Sequence, residues 1–409
     1  MLEEQFAIIE KGEHMKKQDL ERNYISSGVE LLDTAIGGGI GHMGAICNLI
    51  GDSGSGKTVL ATEIIYQGLK KFGKDVSVRY LDKESSYSFD TQSMYGFDMK
   101  DYFEKDVYSI QDFLGSLSSF CNKKKTKYGI YVVDSWDSLT SDEEIEELEK
   151  RTKDFEKGAT YSKGSYDMER AKFSSKIFRM MTKTLEESNV LLIVISQIRD
   201  NVNAGMFGKK FMITGGKALK FYSTQRLFLK TVEEYTLEGR LLGSSCMVEA
   251  IKSRCKYPRR KTLVNFLNEV GVDAISTHTD YLYDLRLDYG KLKEGSAISD
   301  IQFKENSIDV NSDSLKEFLA SKDITEEQLK EWITENLGGK ATKKNILEFI
   351  KSDTALQTEY VEHFGVIDRE GLIDYYINND LEEEVAQKAV AKWLAIEERI
   401  KPNRKRKTL

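Results

Sequence analysis

The most informative stretch of the chain is Ala45-Ile46-Cys47-Asn48-Leu49-Ile50-Gly51-Asp52-Ser53-Gly54-Ser55-Gly56-Lys57-Thr58. An apolar run leads into the spacing G-x-x-x-x-G-K-T, in which backbone N–H groups surround a polyphosphate. The lysine reaches the outer phosphates and the threonine hydroxyl binds Mg²⁺. The segment after Thr58 has the composition of a helix opening, and a helix N-terminus favours an anion. The pattern predicts an ATP and Mg²⁺ site at residues 51–58; the alternative is an ordinary glycine turn.

Composition sets broad limits on the class of protein. A chain of 409 residues with 40% hydrophobic content predicts about two or three domains with a real core. The net charge of −7 does not indicate a nucleic-acid binder, although binding depends on local patches rather than on the sum. The cysteines and histidines are scattered, and no apolar stretch approaches the length of a membrane span. We expect a soluble protein of cytoplasmic type, without a structural metal or a membrane partner.

Short apolar runs alternate with helical patterns over residues 25–290. The runs at 45–50, 76–82, 129–134 and 190–196 suit parallel strands covered on both faces, and 57–72 and 167–188 suit the connecting helices. Residues 225–232 and 244–252 predict a hairpin, and 262–267 a further antiparallel strand. The alternation predicts an α/β domain with a doubly wound, mostly parallel sheet.

Three other segments flank this predicted core. The pattern of residues 1–24 predicts a short helix, which would be either a frayed terminus or an oligomerisation arm for a neighbouring subunit. Residues 291–400 have helical spacing with charged faces and predict a mainly helical C-terminal domain. Residues 401–409 form a basic tail, which is either a plain surface tail or a contact for nucleic acid.

Polar residues at the ends of the predicted strands supply the remaining chemistry of hydrolysis. Asp134 ends an apolar strand and, with Thr58, would hold Mg²⁺. Glu84 follows another strand at the edge where an α/β sheet binds its ligand, and it would orient the attacking water. The alternative for Glu84 is a solvated loop acid. Gln197 ends the strand at 190–196, where a neutral amide can bond the γ-phosphate.

The segment from Arg199 to Thr214 is predicted to be a loop with an excess of basic residues. Lys209 and Lys210 lie within it, Lys217 and Lys220 follow it, and Phe207 is isolated between Met206 and Gly208. Basic side chains interleaved with an aromatic ring suit single-stranded nucleic acid, through phosphate contacts and base stacking. The loop could equally be a lid over a substrate.

Taken together, these motifs resemble the RecA recombinases, including phage members such as UvsX. The likeness covers about residues 24–275. It rests on the phosphate loop, Asp82-Lys83-Glu84, Asp134-Ser135, Ile195-Ser196-Gln197-Ile198-Arg199, Met206-Phe207-Gly208 and Thr214-Gly215-Gly216-Lys217-Ala218-Leu219-Lys220-Phe221-Tyr222. The resemblance implies a RecA-like P-loop ATPase core.

The resemblance also implies a role for each matching position. Glu84 would activate water, and Gln197 would couple nucleotide state to a second DNA loop at about 199–214. A first DNA loop would lie within about 137–166. Lys252 and Arg254 would reach the ATP of a neighbouring subunit. Two aromatic positions that contact adenine in bacterial members are Thr91 and Asn268 here, a departure from the family pattern. The implied DNA-binding residues are Lys172, Ser175, Arg179, Arg199, Phe207, Lys209, Lys210, Gly215, Gly216 and Lys217.

The function that these roles imply is a DNA-dependent ATPase of recombination and repair. It would form filaments on single-stranded DNA and catalyse homologous pairing and strand exchange with double-stranded DNA. A mediator and a single-strand-binding protein are further implied partners, in a bacterial host cytoplasm if the chain is phage-encoded. The alternatives are a KaiC-like or RadA-like ATPase remodeller and a ring helicase.

Overall fold

The computed structural model of this chain describes residues 24–142, 145–146, 167–200, 211–213, 216–237, 239–254, 259–283, 312–353, 355–356, 359–360 and 369–400. The chain divides into two compact units, the first ending at Ala274 and the second beginning at Ile275. The predicted arm at 1–24 and the tail at 401–409 lie outside the described residues, apart from Tyr24. The predicted domain limit at 290/291 also lies outside them and stays a prediction.

A mixed β-sheet forms the centre of the first unit. The strands of the unit are β1 (Tyr24–Ile25), β2 (Ile40–His42), β3 (Ile46–Gly51), β4 (Val76–Asp82), β5 (Tyr128–Asp134), β6 (Val190–Asp200), β7 (Phe211–Ile213), β8 (Gln225–Leu237), β9 (Arg240–Ser253), β10 (Lys261–Leu267) and β11 (Gly271–Asp273). The order across the sheet is β11-β10-β9-β8-β3-β6-β5-β4, with β7 paired to β6, while β1 and β2 form a separate pair.

The middle of the sheet is parallel, as the apolar runs predict. β8, β3, β6, β5 and β4 pair in parallel, and every residue of β3 and β5 is buried. Strands covered on both faces have no solvated side, so their sequences are nearly continuous apolar runs. The predicted extension is also confirmed, because β8, β9, β10 and β11 pair antiparallel.

Helices cover both faces of this sheet. They are α1 (Glu30–Ile36), α2 (Lys57–Phe72), α3 (Thr91–Tyr95), α4 (Ile110–Lys123), α5 (Asp167–Ser188) and α6 (Gly216–Tyr222). On one face, Phe113 of α4 and Phe178 of α5 pack with Tyr131 and Val133 of β5. On the other face, Gly68 of α2 lies against Ile130. Because side chains alternate along a strand, β5 anchors both helical layers.

Two glycines allow the phosphate loop to join β3 to α2. Gly56 has a positive φ of 81°, and a Cβ there would lie 2.8 Å from the Phe266 ring. A Cβ on Gly51 would lie 2.4 Å from the Leu229 carbonyl oxygen. Only glycine fits both positions without displacing β8 or β10, so the neighbouring strands determine the shape of the loop.

The second unit is helical, and its described helices are α7 (Ala274–Tyr283), α8 (Ser312–Ala320), α9 (Glu326–Leu337), α10 (Lys343–Lys351), α11 (Arg369–Asn378) and α12 (Glu382–Ile400). Leu315, Leu329, Ile333 and Ile346 form a core between α8, α9 and α10. α9 begins with a capping box: the Thr325 hydroxyl accepts a hydrogen bond from the Gln328 backbone N–H, and the Gln328 side-chain oxygen accepts one from the Thr325 backbone N–H. Among the residues that the structure describes, no helix combines the length and apolar character needed to cross a bilayer.

One local prediction is wrong. The sequence predicts a strand ending at 196 and a loop over 199–214, but β6 extends to Asp200 and pairs antiparallel with β7. Arg199 is opposite Met212, and Asp200 is opposite Phe211. The apolar run Phe211-Met212-Ile213 has strand propensity that the many polar neighbours obscured. A two-stranded ribbon therefore forms the base of the second loop.

Candidate active site

The phosphate-loop lysine is buried among oxygen atoms. Lys57 is 7% exposed, and its Nζ contacts the Asp52 carbonyl oxygen and lies 3.4 Å from Ser55 Oγ. Burial lowers the pKa of Lys57, while the nearby charges of Asp134 and Glu84 act in the opposite direction. A partly desolvated ammonium group gains strongly from an anion, because its Coulomb attraction is weakly screened. The geometry therefore suits the phosphates of a nucleotide.

Thr58 and Asp134 come together as the predicted metal pair. Thr58 Oγ1 donates to Asp134 Oδ2 at 2.8 Å, and Tyr80 OH donates to the same oxygen at 2.7 Å. Burial raises the pKa of Asp134, and the hydrogen bonds from Tyr80 and Thr58 act to lower it. A hydroxyl and a carboxylate are hard oxygen donors of the kind that Mg²⁺ uses beside substrate phosphates. These residues therefore fit the ion, which would neutralise the phosphate charge when bound.

Glu84 and Gln197 also meet, although β5 separates their strands. The Gln197 side-chain amide donates to Glu84 Oε1 at 2.6 Å, and its backbone N–H donates to Asp137 Oδ2 at 2.8 Å. Glu84 is exposed, and its backbone N–H donates to Asp82 Oδ1 at 3.1 Å. Gln197 lies opposite Gly51 in the β3–β6 pairing, so it is adjacent to the start of the phosphate loop. The carboxylate and the amide therefore form a polar pair beside the start of the phosphate loop.

Lys252 and Arg254 bind the C-terminal end of α6. Lys252 Nζ lies 2.7 Å from the carbonyl oxygens of both Lys220 and Phe221, and Arg254 Nη2 lies 2.8 Å from that of Phe221. Cations at a helix C-terminus satisfy carbonyls that have no partner within the helix. Burial, followed by the neighbouring positive charges, lowers the pKa of Lys252 to about 8. The pair therefore forms a concentrated positive site beside α6.

The two positions that replace the adenine-contacting aromatics have structural partners instead. Thr91 is buried, and its Oγ1 accepts a hydrogen bond from the Met99 N–H at 2.9 Å. Asn268 Nδ2 donates to the Leu241 carbonyl oxygen at 2.7 Å. Both side chains therefore stabilise local backbone, and neither offers a ring on which a base could stack.

The described part of the chain covers the candidate DNA residues only in part. Arg179 is exposed on α5, and its Nε donates to Tyr222 OH at 3.2 Å. Gly216 is the first residue of α6, and the backbones of Lys172, Ser175, Arg199 and Lys217 lie in α5, β6 and α6. Phe207, Lys209, Lys210 and Gly215 lie outside the described residues, as does most of the predicted first loop at 137–166.

Sequence reasoning missed three polar residues beneath the phosphate loop. Tyr80 contacts Asp134, and Asp137 contacts Gln197. Arg226 is buried in β8, and its Nε donates to Asn48 Oδ1 at 3.1 Å. Asn48 Nδ2 in turn lies 2.9 Å from Ser196 Oγ, so the network joins β8, β3 and β6. Polar residues within otherwise apolar strands are the signal that could have identified this network, since buried polar groups require partners.

Comparison with known proteins identifies the family. The RecA N-terminal domain model matches residues 3–273. Protein RecA of Mesoplasma florum is 27% identical over 258 residues, covering 63% of this chain and 72% of that protein. Protein RecA of Chlorobium chlorochromatii is 27% identical over 300 residues, covering 72% of this chain and 78% of that protein.

Among solved structures, the crystal structure of the RadB recombinase is similar at a TM-score of 0.42 and 18% identity. The similarity covers 61% of this chain and 98% of the RadB chain. The family match confirms the predicted RecA-like α/β fold and the predicted resemblance at the level of the family. With its phosphate loop and the carboxylates placed around it, this chain belongs to the RecA family.

Proposed function

We propose that this protein is an ATP-dependent recombinase. It hydrolyses ATP with Mg²⁺, forms filaments on single-stranded DNA, and catalyses homologous pairing and strand exchange with double-stranded DNA. The observation that carries the proposal is the position of Gln197. Its amide contacts Glu84 at 2.6 Å, while its own strand continues into the ribbon at the base of the second loop.

The hydrolytic part of the proposal rests on the groups around the phosphate loop. Lys57 and the loop backbone would bind the phosphates. Thr58 and Asp134, which are hydrogen-bonded to each other, would hold Mg²⁺. Glu84 accepts the proton of the attacking water or orients that water toward the γ-phosphate. Phosphoryl transfer requires mainly positioning and charge neutralisation, and these side chains supply both.

The DNA-binding part rests on continuity of backbone from the nucleotide to the loop. Gln197 is fixed at its amide by Glu84 and at its backbone by Asp137, and β6 continues from it to Asp200. A γ-phosphate that attracts the Gln197 amide competes with Glu84 for that donor. Such competition shifts β6 and the ribbon. The Gln197–Glu84 hydrogen bond is therefore the contact through which nucleotide state reaches residues 201–210.

The filament part rests on the positive pair beside α6. Lys252 and Arg254 donate hydrogen bonds to carbonyl oxygens at the end of α6. In the part of the chain that the structure describes, neither side chain contacts the phosphate loop of its own chain. In the proposed filament they face the nucleotide of the adjacent subunit. Their charge then completes that subunit's site, as an arginine finger does in trans.

The experiment has three measurements on the full chain, the third being the formation of joint molecules with homologous duplex DNA. ATP hydrolysis is measured with and without single-stranded DNA, and the particles formed with a non-hydrolysable ATP analogue and the same DNA are imaged by electron microscopy. The recombinase proposal expects stimulated hydrolysis and helical filaments, followed by joint molecules when homologous duplex is added. Closed rings would favour the helicase, and hydrolysis indifferent to DNA would favour the remodeller.

A further inference from the structure

We propose that Tyr80 is a positioning residue for the Mg²⁺ site: its buried phenol holds the Asp134 carboxylate so that one oxygen is reserved for the metal and its water shell. The inference rests on the proposed function, because it assigns a role within the same nucleotide site. It concerns a residue that takes no part in the loop pattern and that lies inside a strand.

The register of two neighbouring strands brings the phenol to the carboxylate. β4 and β5 are parallel, with Tyr80 opposite Val132 and Asp82 opposite Asp134. Residues at alternate positions point to the same face of a sheet, so Tyr80 and Asp134 share a face and lie diagonally. Tyr80 is completely buried, and its hydroxyl lies 2.7 Å from Asp134 Oδ2.

Aromatic neighbours hold the Tyr80 ring in place. The ring of Tyr87 meets it edge-on with centroids 5.2 Å apart, and the ring of Phe103 lies 5.8 Å away. Tyr87 is itself fixed by a hydrogen bond of 2.8 Å between its hydroxyl and Thr62 Oγ1, one turn beyond Thr58 on α2. A ring held on two sides cannot swing its hydroxyl away from Asp134, so the donor position is set before any ligand arrives.

The two oxygens of Asp134 have unequal environments. Oδ2 receives both the Tyr80 and the Thr58 hydroxyl, whereas no donor from the described residues reaches Oδ1. Two donors on one oxygen fix the plane of the carboxylate and leave the other oxygen to accept from metal-bound water. If Thr58 turns its oxygen toward Mg²⁺, Tyr80 still holds Oδ2. The phenol therefore preserves the orientation of the carboxylate during metal binding.

The protonation states agree with this role. Burial raises the pKa of Tyr80 well above its usual range, and the charge of Asp134 acts in the same direction. The phenol therefore remains a donor at every working pH. Burial also raises the pKa of Asp134, and the Tyr80 hydrogen bond opposes that rise. Removing the phenol leaves Asp134 Oδ2 with the Thr58 hydroxyl as its remaining donor, so the carboxylate is held less firmly and the metal site is weakened.

Tyr80→Phe tests the inference, and Tyr131→Phe is its matched control. Tyr131 is also completely buried, on the neighbouring strand β5, but its side chain packs on the opposite face and its hydroxyl lies 2.8 Å from Ser116 Oγ. Both changes remove one buried hydroxyl from the same sheet. Binding of a fluorescent ADP analogue is titrated with Mg²⁺ at fixed nucleotide, for the wild type and for both variants.

We expect Tyr80→Phe to raise the Mg²⁺ concentration at half-effect by about tenfold, the size of a hydrogen bond to a charged group. Tyr131→Phe should stay within about twofold of the wild type, as expected for a change outside the site. Binding of the ADP analogue without Mg²⁺ should be the same in the wild type and in both variants. A merely structural role for Tyr80 would instead weaken nucleotide binding with and without Mg²⁺ alike.

Equal Mg²⁺ titrations for the two variants would overturn the inference. A loss of general stability in Tyr80→Phe does not obscure the result, because the effect of Mg²⁺ is compared with each variant's own binding of the ADP analogue in the absence of Mg²⁺. If the wild type itself binds nucleotide without any dependence on Mg²⁺, the proposed function fails, and that outcome is distinct from a failure of the role of Tyr80.

Discussion

The amide of Gln197 donates to Glu84 Oε1 at 2.6 Å, and this hydrogen bond joins the residue that would position water to the strand that enters the second loop. The two residues are far apart in the chain and lie on strands separated by β5. A charged acceptor strengthens the bond, so its gain or loss is large enough to shift an equilibrium between two arrangements. The bond is therefore a candidate switch between nucleotide and DNA.

Gln197→Met should uncouple hydrolysis from DNA. The substitution keeps the length of the side chain and removes the amide, so nucleotide still binds but neither Glu84 nor a γ-phosphate attracts the side chain. We expect the ratio of hydrolysis rates with and without single-stranded DNA to fall by about tenfold, which is the size of a typical coupling free energy.

The control for this variant is Gln67→Met. Gln67 Nε2 donates to Glu63 Oε1 at 2.8 Å within α2, so the same substitution removes the same kind of bond elsewhere. The control should keep the wild-type ratio. If both variants lose stimulation equally, Gln197 has no special part in communication.

Glu84→Gln should abolish turnover while preserving nucleotide binding. The neutral amide cannot take a proton from water, so we expect kcat to fall by about 10²–10⁴-fold, the usual contribution of a general base. The dissociation constant for ATP should change little, since Lys57 and the loop backbone remain. Glu187→Gln is the control, because Glu187 pairs with Lys183 at 3.5 Å on the surface of α5. Full activity of Glu84→Gln would show Glu84 to be a solvated loop acid.

The sequence was most informative where local chemistry decides the structure. The limits of α2 at Lys57 and Phe72 and of α5 at Asp167 and Ser188 agree with the predicted helices, because periodic apolar residues and the loop glycines act locally. The parallel strands were equally clear, since burial on both faces gives continuous apolar runs.

Long-range pairings were less predictable. The contacts of Tyr80 with Asp134 and of Asp137 with Gln197 depend on strand order and register, which one sequence does not reveal. Tyr80 has the appearance of an ordinary strand residue, and Asp137 that of a polar residue in a turn. The ribbon of β7 with β6 was missed for the same reason, because a short strand forms only where a partner edge is available.

Lys252→Ala and Glu84→Gln should restore each other's activity when mixed. If Lys252 of one subunit completes the site of the next, each variant alone is inactive but supplies what the other lacks. In a random equal mixture, about a quarter of the interfaces combine an intact Glu84 with an intact Lys252, so about a quarter of the wild-type rate is expected.

A mixture of Lys252→Ala with Arg254→Ala provides the matched control. Both residues bind the end of the same helix in the same chain, so no interface in that mixture carries an intact pair. That mixture should remain inactive at every ratio. Recovery in neither mixture would argue that each site is complete within one chain.

His278 should make the second unit sensitive to acid. The residue is buried in α7, and burial lowers its pKa from 6.5 to about 4. The folded unit therefore holds His278 neutral, while the unfolded chain takes up a proton once the pH falls below about 6.5. Between pH 6.5 and pH 4 the unfolded state binds more protons at His278 than the folded state does. The contribution of neutral His278 to the free energy of unfolding is therefore fully present above pH 6.5 and is lost as the pH falls toward 4.

The measurement is urea denaturation at pH 7.5 and pH 5.0 for the wild type and His278→Asn. Proton linkage at His278 lowers the free energy of unfolding of the wild type by about 2 kcal/mol at pH 5.0. The asparagine variant has no group that titrates at this position, so it does not lose this amount. The variant is expected to be less stable than the wild type at pH 7.5, since packing around the imidazole is lost, and to recover most of that difference at pH 5.0. Parallel losses in both proteins would place the titration of His278 outside the folding equilibrium, and the acid sensitivity would then belong to other groups.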